Sequence, residues 1–217
     1  MATVTPATEL TWFDRSGKKL GVRQMSGSVS ELYLAPDQNR VAVRRGDSGS
    51  GDIWLLDLLR GTESRFTFDA ADETLPVFSP GGNQIAFLRG NDLYVKAATG
   101  TGAEEMVQKG AAGPTDWSPD GKFLLYRNNT WDIWALPMTG ERKPFVVLGE
   151  KFNENRAKFS PDGHWILYSS NETGREEIYV QAFPPSGGKW QISETAEATP
   201  IGVAMARKSF LVHQTGE

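Results

Sequence analysis

The sequence predicts an all-β propeller built of four-stranded blades. Two observations carry this. A proline-centred tetrapeptide recurs at a near-constant interval, and the same succession of short apolar runs follows each copy. The copies are Ala35 to Gln38 (Ala-Pro-Asp-Gln), Ser79 to Gly82 (Ser-Pro-Gly-Gly), and Ser118 to Gly121 and Ser160 to Gly163 (both Ser-Pro-Asp-Gly). They stand 44, 39 and 42 residues apart, and an eroded fifth copy, Ala204 to Arg207, lies 44 further on. A period of about 40–45 residues with strand-like flanks is the spacing of a propeller blade.

Each tetrapeptide has the chemistry of a tight turn. Proline fixes φ for the second position, Asp bonds backbone nearby, and glycine supplies the positive φ that closes a hairpin. An apolar residue precedes each copy: Leu34, Phe78, Trp117, Phe159 and, in the eroded copy, Val203. An apolar run follows, such as Ile85-Ala86-Phe87 or Trp165-Ile166-Leu167-Tyr168. Each turn therefore joins the first and second strands of a blade.

The third strands read Asp52-Ile53-Trp54-Leu55, Asp92-Leu93-Tyr94-Val95, Asp132-Ile133-Trp134-Ala135 and Glu177-Ile178-Tyr179-Val180. Both faces are apolar, as a sheet packed between two neighbours requires. More polar fourth strands are expected near 64–67, 104–107, 144–148 and 189–192, because the outermost strand is a solvent edge.

The ends of the chain read as complementary halves. Residues 1–8 are expected to be a loose leader, and 9–217 a single propeller domain. Leu10 to Gly17 reads as a third strand with its turn and Lys19 to Gln24 as a fourth, with no first or second strand before them. Residues 199–205 and 209–214 read as a first and a second strand. Pairing the two halves within one chain gives five blades and a closed ring. A piece of a larger propeller, or assembly between chains, is the rival reading.

Composition narrows the class. The net charge of -4 argues against nucleic acid as a partner. No cysteine is present, which removes disulfides and thiolate metal sites. No run of about 18 apolar residues occurs, so no membrane-spanning helix is expected. The first residues lack the basic and apolar regions of a signal peptide.

The repeated Phe-Ser-Pro-Asp-Gly, followed by an apolar strand and Asp-Ile-Trp, resembles the TolB-like propeller family, a relative of the WD-repeat propellers. Leu10 to Gly21, Asp52 to Phe68 and Thr115 to Tyr126 are similar to the propeller region attached to serine/threonine kinases of soil bacteria, especially acidobacteria. The resemblance spans about Leu10 to Val212. It implies a non-catalytic module for sensing or protein contact, placed outside the membrane in such kinases. The kinase motifs themselves are absent. The fifth turn departs from the pattern, having lost both Pro and Gly.

Candidate ligand-binding residues follow from the blade geometry. First strands line the channel, so the loops that lead into them would ring one mouth. Those loops are acidic: Asp69, Asp72, Glu73, Glu150, Glu154, Glu194 and Glu197. Such a ring would attract a cation or a basic peptide. Asp116 and Arg156 lie within first strands and would reach the channel itself. The site expected at the channel mouth therefore comprises Asp72, Glu73, Asp116, Glu154, Arg156 and Glu197.

Other residues read as structural. Asp52, Asp92 and Asp132 are expected to bond backbone at strand starts. Ser79, Ser118 and Ser160 belong to turns, with no repeated His to activate them. Only His164 and His213 exist, so a two-histidine metal site is not expected. Arg45-Gly46-Asp47 matches an adhesion tripeptide by chance, and Asn128 and Asn171 head glycosylation sequons. Trp54, Trp117, Trp134 and Trp165 are expected to pack between blades, whereas Trp131 and Trp190 are candidates for exposed stacking. The sequence thus points to a monomeric binding or scaffold module with a protein or peptide partner, no catalytic residue, no metal and no cofactor. A metal-dependent hydrolase or lactonase is one alternative. An engineered or truncated propeller without a ligand of its own is another.

Overall fold

A computed structural model describes residues 8–193 apart from 15 and 26, and these residues form strands and turns without a helix. No helix among them is long and apolar enough to cross a membrane. The chain opens with a two-stranded sheet of β1 (Glu9–Phe13) and β2 (Lys19–Gln24). Four four-stranded sheets follow, each an antiparallel meander in sequence order. The first holds β3 (Val29–Leu34), β4 (Arg40–Arg45), β5 (Asp52–Asp57) and β6 (Thr62–Arg65). The second holds β7 (Glu73–Phe78), β8 (Gln84–Arg89), β9 (Asp92–Ala97) and β10 (Glu105–Lys109). The third holds β11 (Ala111–Trp117), β12 (Phe123–Asn128), β13 (Ile133–Pro137) and β14 (Phe145–Leu148). The fourth holds β15 (Glu154–Phe159), β16 (Trp165–Ser170), β17 (Glu177–Ala182) and β18 (Lys189–Gln191). The expected strands at 199–205 and 209–214, the eroded turn, Glu194, Glu197 and His213 lie outside the described residues.

The repeated turn does what its residues dictate. Ser79, Ser118 and Ser160 each accept the backbone N–H of the residue five further on, at 2.9–3.0 Å. Asp120 and Asp162 accept the N–H two residues on, each at 3.0 Å. The Ser118 hydroxyl and the Lys122 N–H bonded to Asp120 pull its carboxyl down to about 2. The turn closes at φ 66°, 75° and 74° on Gly82, Gly121 and Gly163, and at 58° on Gln38 in the first copy. These turns also touch one another. A Cβ added to Gly121 would lie 3.7 Å from Pro80, and one on Gly163 would lie 3.5 Å from Pro119. Gly82 stands likewise 3.8 Å from Pro36.

The cores lie between sheets rather than within one. Ile53, Leu55 and Phe66 of the first blade meet Phe78, Ile85 and Phe87 of the second. Leu93 and Val95 meet Ala111, Trp117 and Leu124 across the next gap. Leu125, Ile133 and Ala135 meet Ala157, Ile166 and Tyr168 across the third. The β1–β2 sheet lays Leu10 on Val41, Val43 and Leu56 of the first blade. Fully burying one such aliphatic or aromatic side chain stabilises by about 1.5–3 kcal/mol.

Two expectations need correction. Trp165 does not pack between blades. It is 39% exposed and makes an edge contact with Trp190, because no described blade covers that face of the fourth sheet. Of the three repeated aspartates, Asp92 bonds backbone, accepting Gly110 N–H at 3.2 Å. Asp52 instead pairs with Arg65 at 2.6 Å, and Asp132 accepts from the Asn128 and Thr130 side chains. The polar side chains available beside each strand start decide which bond forms.

Candidate functional site

The first strands β3, β7, β11 and β15 share one irregularity. Each pairing register shifts near the same place, between Ser30 and Leu32, Thr74 and Val77, Ala111 and Gly113, and Asn155 and Lys158. Positive φ marks the spots: Glu31 (52°), Leu75 (54°), Gly113 (133°) and Arg156 (54°). A bulge leaves a residue unpaired and re-aims its side chain. All four residues line one cavity of about 830 Å³ that touches every first strand. The sequence carries no strong bulge signal at three of these positions, since they are not glycine.

The charged residues lining the cavity are Glu31, Asp116, Arg127, Arg156 and Lys158. Both acids are engaged. Glu31 Oε2 accepts Leu75 N–H at 2.7 Å from the next blade, and burial pushes its carboxyl up. Asp116 Oδ2 accepts Phe159 N–H at 2.8 Å, with Lys158 Nζ 3.6 Å from its other oxygen. Lys158 also donates to Thr115 O. These bonds staple one first strand to the next. Arg127 lies over the Trp131 ring, 3.8 Å from its centroid, and burial lowers its pKa. Arg156 is exposed on its bulge. Apolar walls complete the cavity, including Tyr33, Phe78, Pro114 and Trp117.

The structure thus brings two of the expected site residues, Asp116 and Arg156, to the cavity. It places three others elsewhere. Asp72 pairs with Arg44 at 2.6 Å and accepts Gly51 N–H at 2.7 Å. Glu73 is fully buried against Arg89 at 2.5 Å, and Arg89 also bonds Glu104. Burial works against the Arg89 charge, but Glu104 and Glu73 outweigh it and raise its pKa. Glu154 is 2% exposed, and Oε2 finds no hydrogen-bond partner among the described residues. Burial first, then the nearby Asp132 and Glu150 charges, push its carboxyl up to about 7 against the pull of Lys189. Glu197 lies outside the described residues. Asp72 thus ties its loop to the 46–51 loop of the preceding blade.

Sequence reasoning passed over Glu31, Arg127 and Lys158. Lys158 could have been found, since it stands between the apolar Ala157 and Phe159 of its strand. The adhesion-like tripeptide is not presented as a ligand: Arg45 pairs with Glu63 at 2.7 Å and lies over Trp54. The turn serines cap backbone, as described above.

Known proteins fit this architecture. A putative TolB from Agrobacterium tumefaciens superposes with a TM-score of 0.76 at 20% identity, over 88% of this chain and 71% of that one. TolB from Acinetobacter baumannii superposes at 0.71 with 21% identity, over 87% and 50%. An uncharacterized peptidase, YuxL of Bacillus subtilis, is 24% identical over 69% of this chain and 30% of its own. Tol-Pal system protein TolB of Anaeromyxobacter dehalogenans is 29% identical over 37% of this chain and 19% of its own. The chain therefore spans less than a third of these two curated relatives. Residues 14–197 match the family model described as the TolB beta propeller domain, and the chain belongs to that family.

Proposed function

We propose that this propeller is a binding module, not an enzyme, and that a polypeptide partner enters its axial cavity. One observation carries the reading. Side chains from four blades converge on a cavity whose walls are apolar and whose lining holds cations unpaired among the described residues beside engaged acids. Pockets of about 300–1,000 Å³ with a few placed polar groups suit ligand binding. A partner protein also agrees with a relative named as a Tol-Pal system protein. A second relative is named as a peptidase, but this chain covers only 30% of it. The test is selection of short peptides from a random library. Enriched peptides should bind the wild type and lose binding in Thr115→Trp, which fills the cavity. Binders that ignore the block, or no enrichment at all, would sink the reading.

We also propose that the ring has five blades in one domain, 9–217, and that the chain works as a monomer without nucleic acid. Support comes from two surfaces that lack a neighbour among the described residues. Val22 and Leu20 of β2 are 41% and 64% exposed, and Trp165 and Trp190 of the fourth sheet are 39% and 52% exposed. The apolar run Phe210-Leu211-Val212 has the character to complete the β1–β2 sheet between them. Leu211→Asp is then expected to lower Tm by several degrees in a thermal melt, because a buried charge destabilises strongly. An unchanged melt would exclude this closure.

A further inference from the structure

Two guanidinium groups in the axial cavity lack a carboxylate among the described residues, and blade alignment shows what differs around one of them. Arg44 and Arg127 each stand nine residues after the first residue of their turn. Arg44 is closed off: it bonds Asp72 Oδ1 at 2.6 and 3.1 Å and the carbonyls of Gly46 and Asp47. Asp72 stands seven residues before the next turn, and Asn153 holds that place before the fourth blade's turn. One backbone bond beside it recurs. Glu73 N–H donates to Gly51 O, and Glu154 N–H donates to Trp131 O, each at 2.9 Å.

That backbone bond is kept, and the residue in the place of Asp72 is no longer an anion. The Arg127 guanidinium lies over the Trp131 indole, 3.8 Å from its centroid, and makes no hydrogen bond or ion pair among the described residues. A cation over an aromatic face is attracted to it, and Arg127 lines the cavity at that place. Arg156 tells the same story on its bulge. It occupies the position of Glu31, four residues before the turn and at nearly the same φ. Glu31 holds the next blade's Leu75 N–H, whereas the Arg156 guanidinium has no partner among the described residues. The remaining cavity charges, Asp116 and Lys158, are engaged with one another.

We infer that the axial cavity binds an acidic polypeptide segment, whose carboxylate is taken by Arg127 and Arg156. The inference rests on the binding-module reading and reverses the ligand sign that the acidic loops suggested. A half-buried, pre-oriented guanidinium binds a carboxylate bidentately and more strongly than an exposed ion pair does. The apolar walls at Tyr33 and Trp117 would hold the flanking side chains. Specificity then comes from the mismatch between an acidic protein surface and a cavity with cations to satisfy.

The test compares two pools of short synthetic peptides, identical except for glutamate or glutamine at the central position. Binding is read by fluorescence anisotropy on the whole chain. The glutamate pool should bind the wild type about tenfold tighter or better, the factor of one charge-assisted hydrogen bond. Arg127→Gln should erase that preference. Asn153→Asp should erase it as well, by giving Arg127 the partner that Arg44 has, while Tm stays at or above the wild-type value. Equal binding of the two pools to the wild type overturns the acidic ligand but leaves the binding module standing. Failure of both pools, together with failure of library selection, removes the reading beneath it. Preference that survives Arg127→Gln, or arginine-dependent binding of inorganic phosphate without glutamate-pool binding, also overturns the inference.

Discussion

Replacing Arg89 with leucine is expected to destabilise the fold by about 3–5 kcal/mol, the usual result of stripping one partner from a buried ion pair. Arg89 sits at the centre of a network. It binds Glu73, whose side chain is fully buried, and Glu104, which also takes Lys96 at 3.2 Å. Lys96 in turn donates to Phe66 O at 2.9 Å, and Arg89 lies 4.5 Å from the Tyr94 ring centre. Leucine would leave the Glu73 carboxylate in the interior with no counter-charge. At about 2–4 °C per kcal/mol, Tm should fall by roughly 6–20 °C. The double variant Arg89→Leu with Glu73→Leu should recover most of the loss, because an apolar pair of similar volume replaces an ion pair at little net cost. Urea unfolding of the four species measures the coupling. A single variant within about 1 kcal/mol of wild type would show that the network contributes no stability.

Glu154 should behave in the opposite sense. The same blade position that gives Glu73 its arginine gives Glu154 a serine, Ser170, whose hydroxyl is buried without a partner among the described residues. Its carboxyl titrates about 7 in the fold against an ordinary value of 4.5. Between those values the unfolded chain has released its proton while the folded chain retains it. Stability is therefore lost as pH rises from about 4.5 through 7, and the loss is complete above 7. A displacement of this size is worth roughly 3 kcal/mol. Glu154→Gln keeps the shape and removes the titration. Relative to wild type, it should be neutral at pH 4 and more stable by up to about 3 kcal/mol at pH 8. The difference between the two stability curves isolates this group from Glu31 and Glu73, which also titrate upward. Parallel curves from pH 4 to 8 would mean that Glu154 is solvated as an ordinary carboxylate.

The repeat was legible because a turn is local. Ser118, Pro119, Asp120 and Gly121 make their bonds within five residues, so spacing alone located the first hairpin of each four-stranded sheet. The third strands were legible because burial on both faces forces an apolar run, as in Ile53 to Leu56. The cavity was less legible. Its chemistry depends on which charge meets which partner between blades, as Arg44 meets Asp72 across 28 residues. Counting acids in the loops could not separate a carboxylate locked into the scaffold from one that faces the channel. The bulges at Glu31, Leu75 and Arg156 were equally hidden, because non-glycine residues adopt positive φ there under tertiary constraint.

The contact of each turn proline with the following turn glycine bears on how such chains arise. Both partners belong to the repeated unit itself: Pro80 meets Gly121, and Pro119 meets Gly163. A unit copied next to itself thus brings both halves of its own seam. Lengthening or shortening the gene by one whole unit preserves that junction without any compensating substitution. Asp72, Asn153 and their arginines vary from seam to seam, so divergence after copying can alter the lining while the joinery stays fixed.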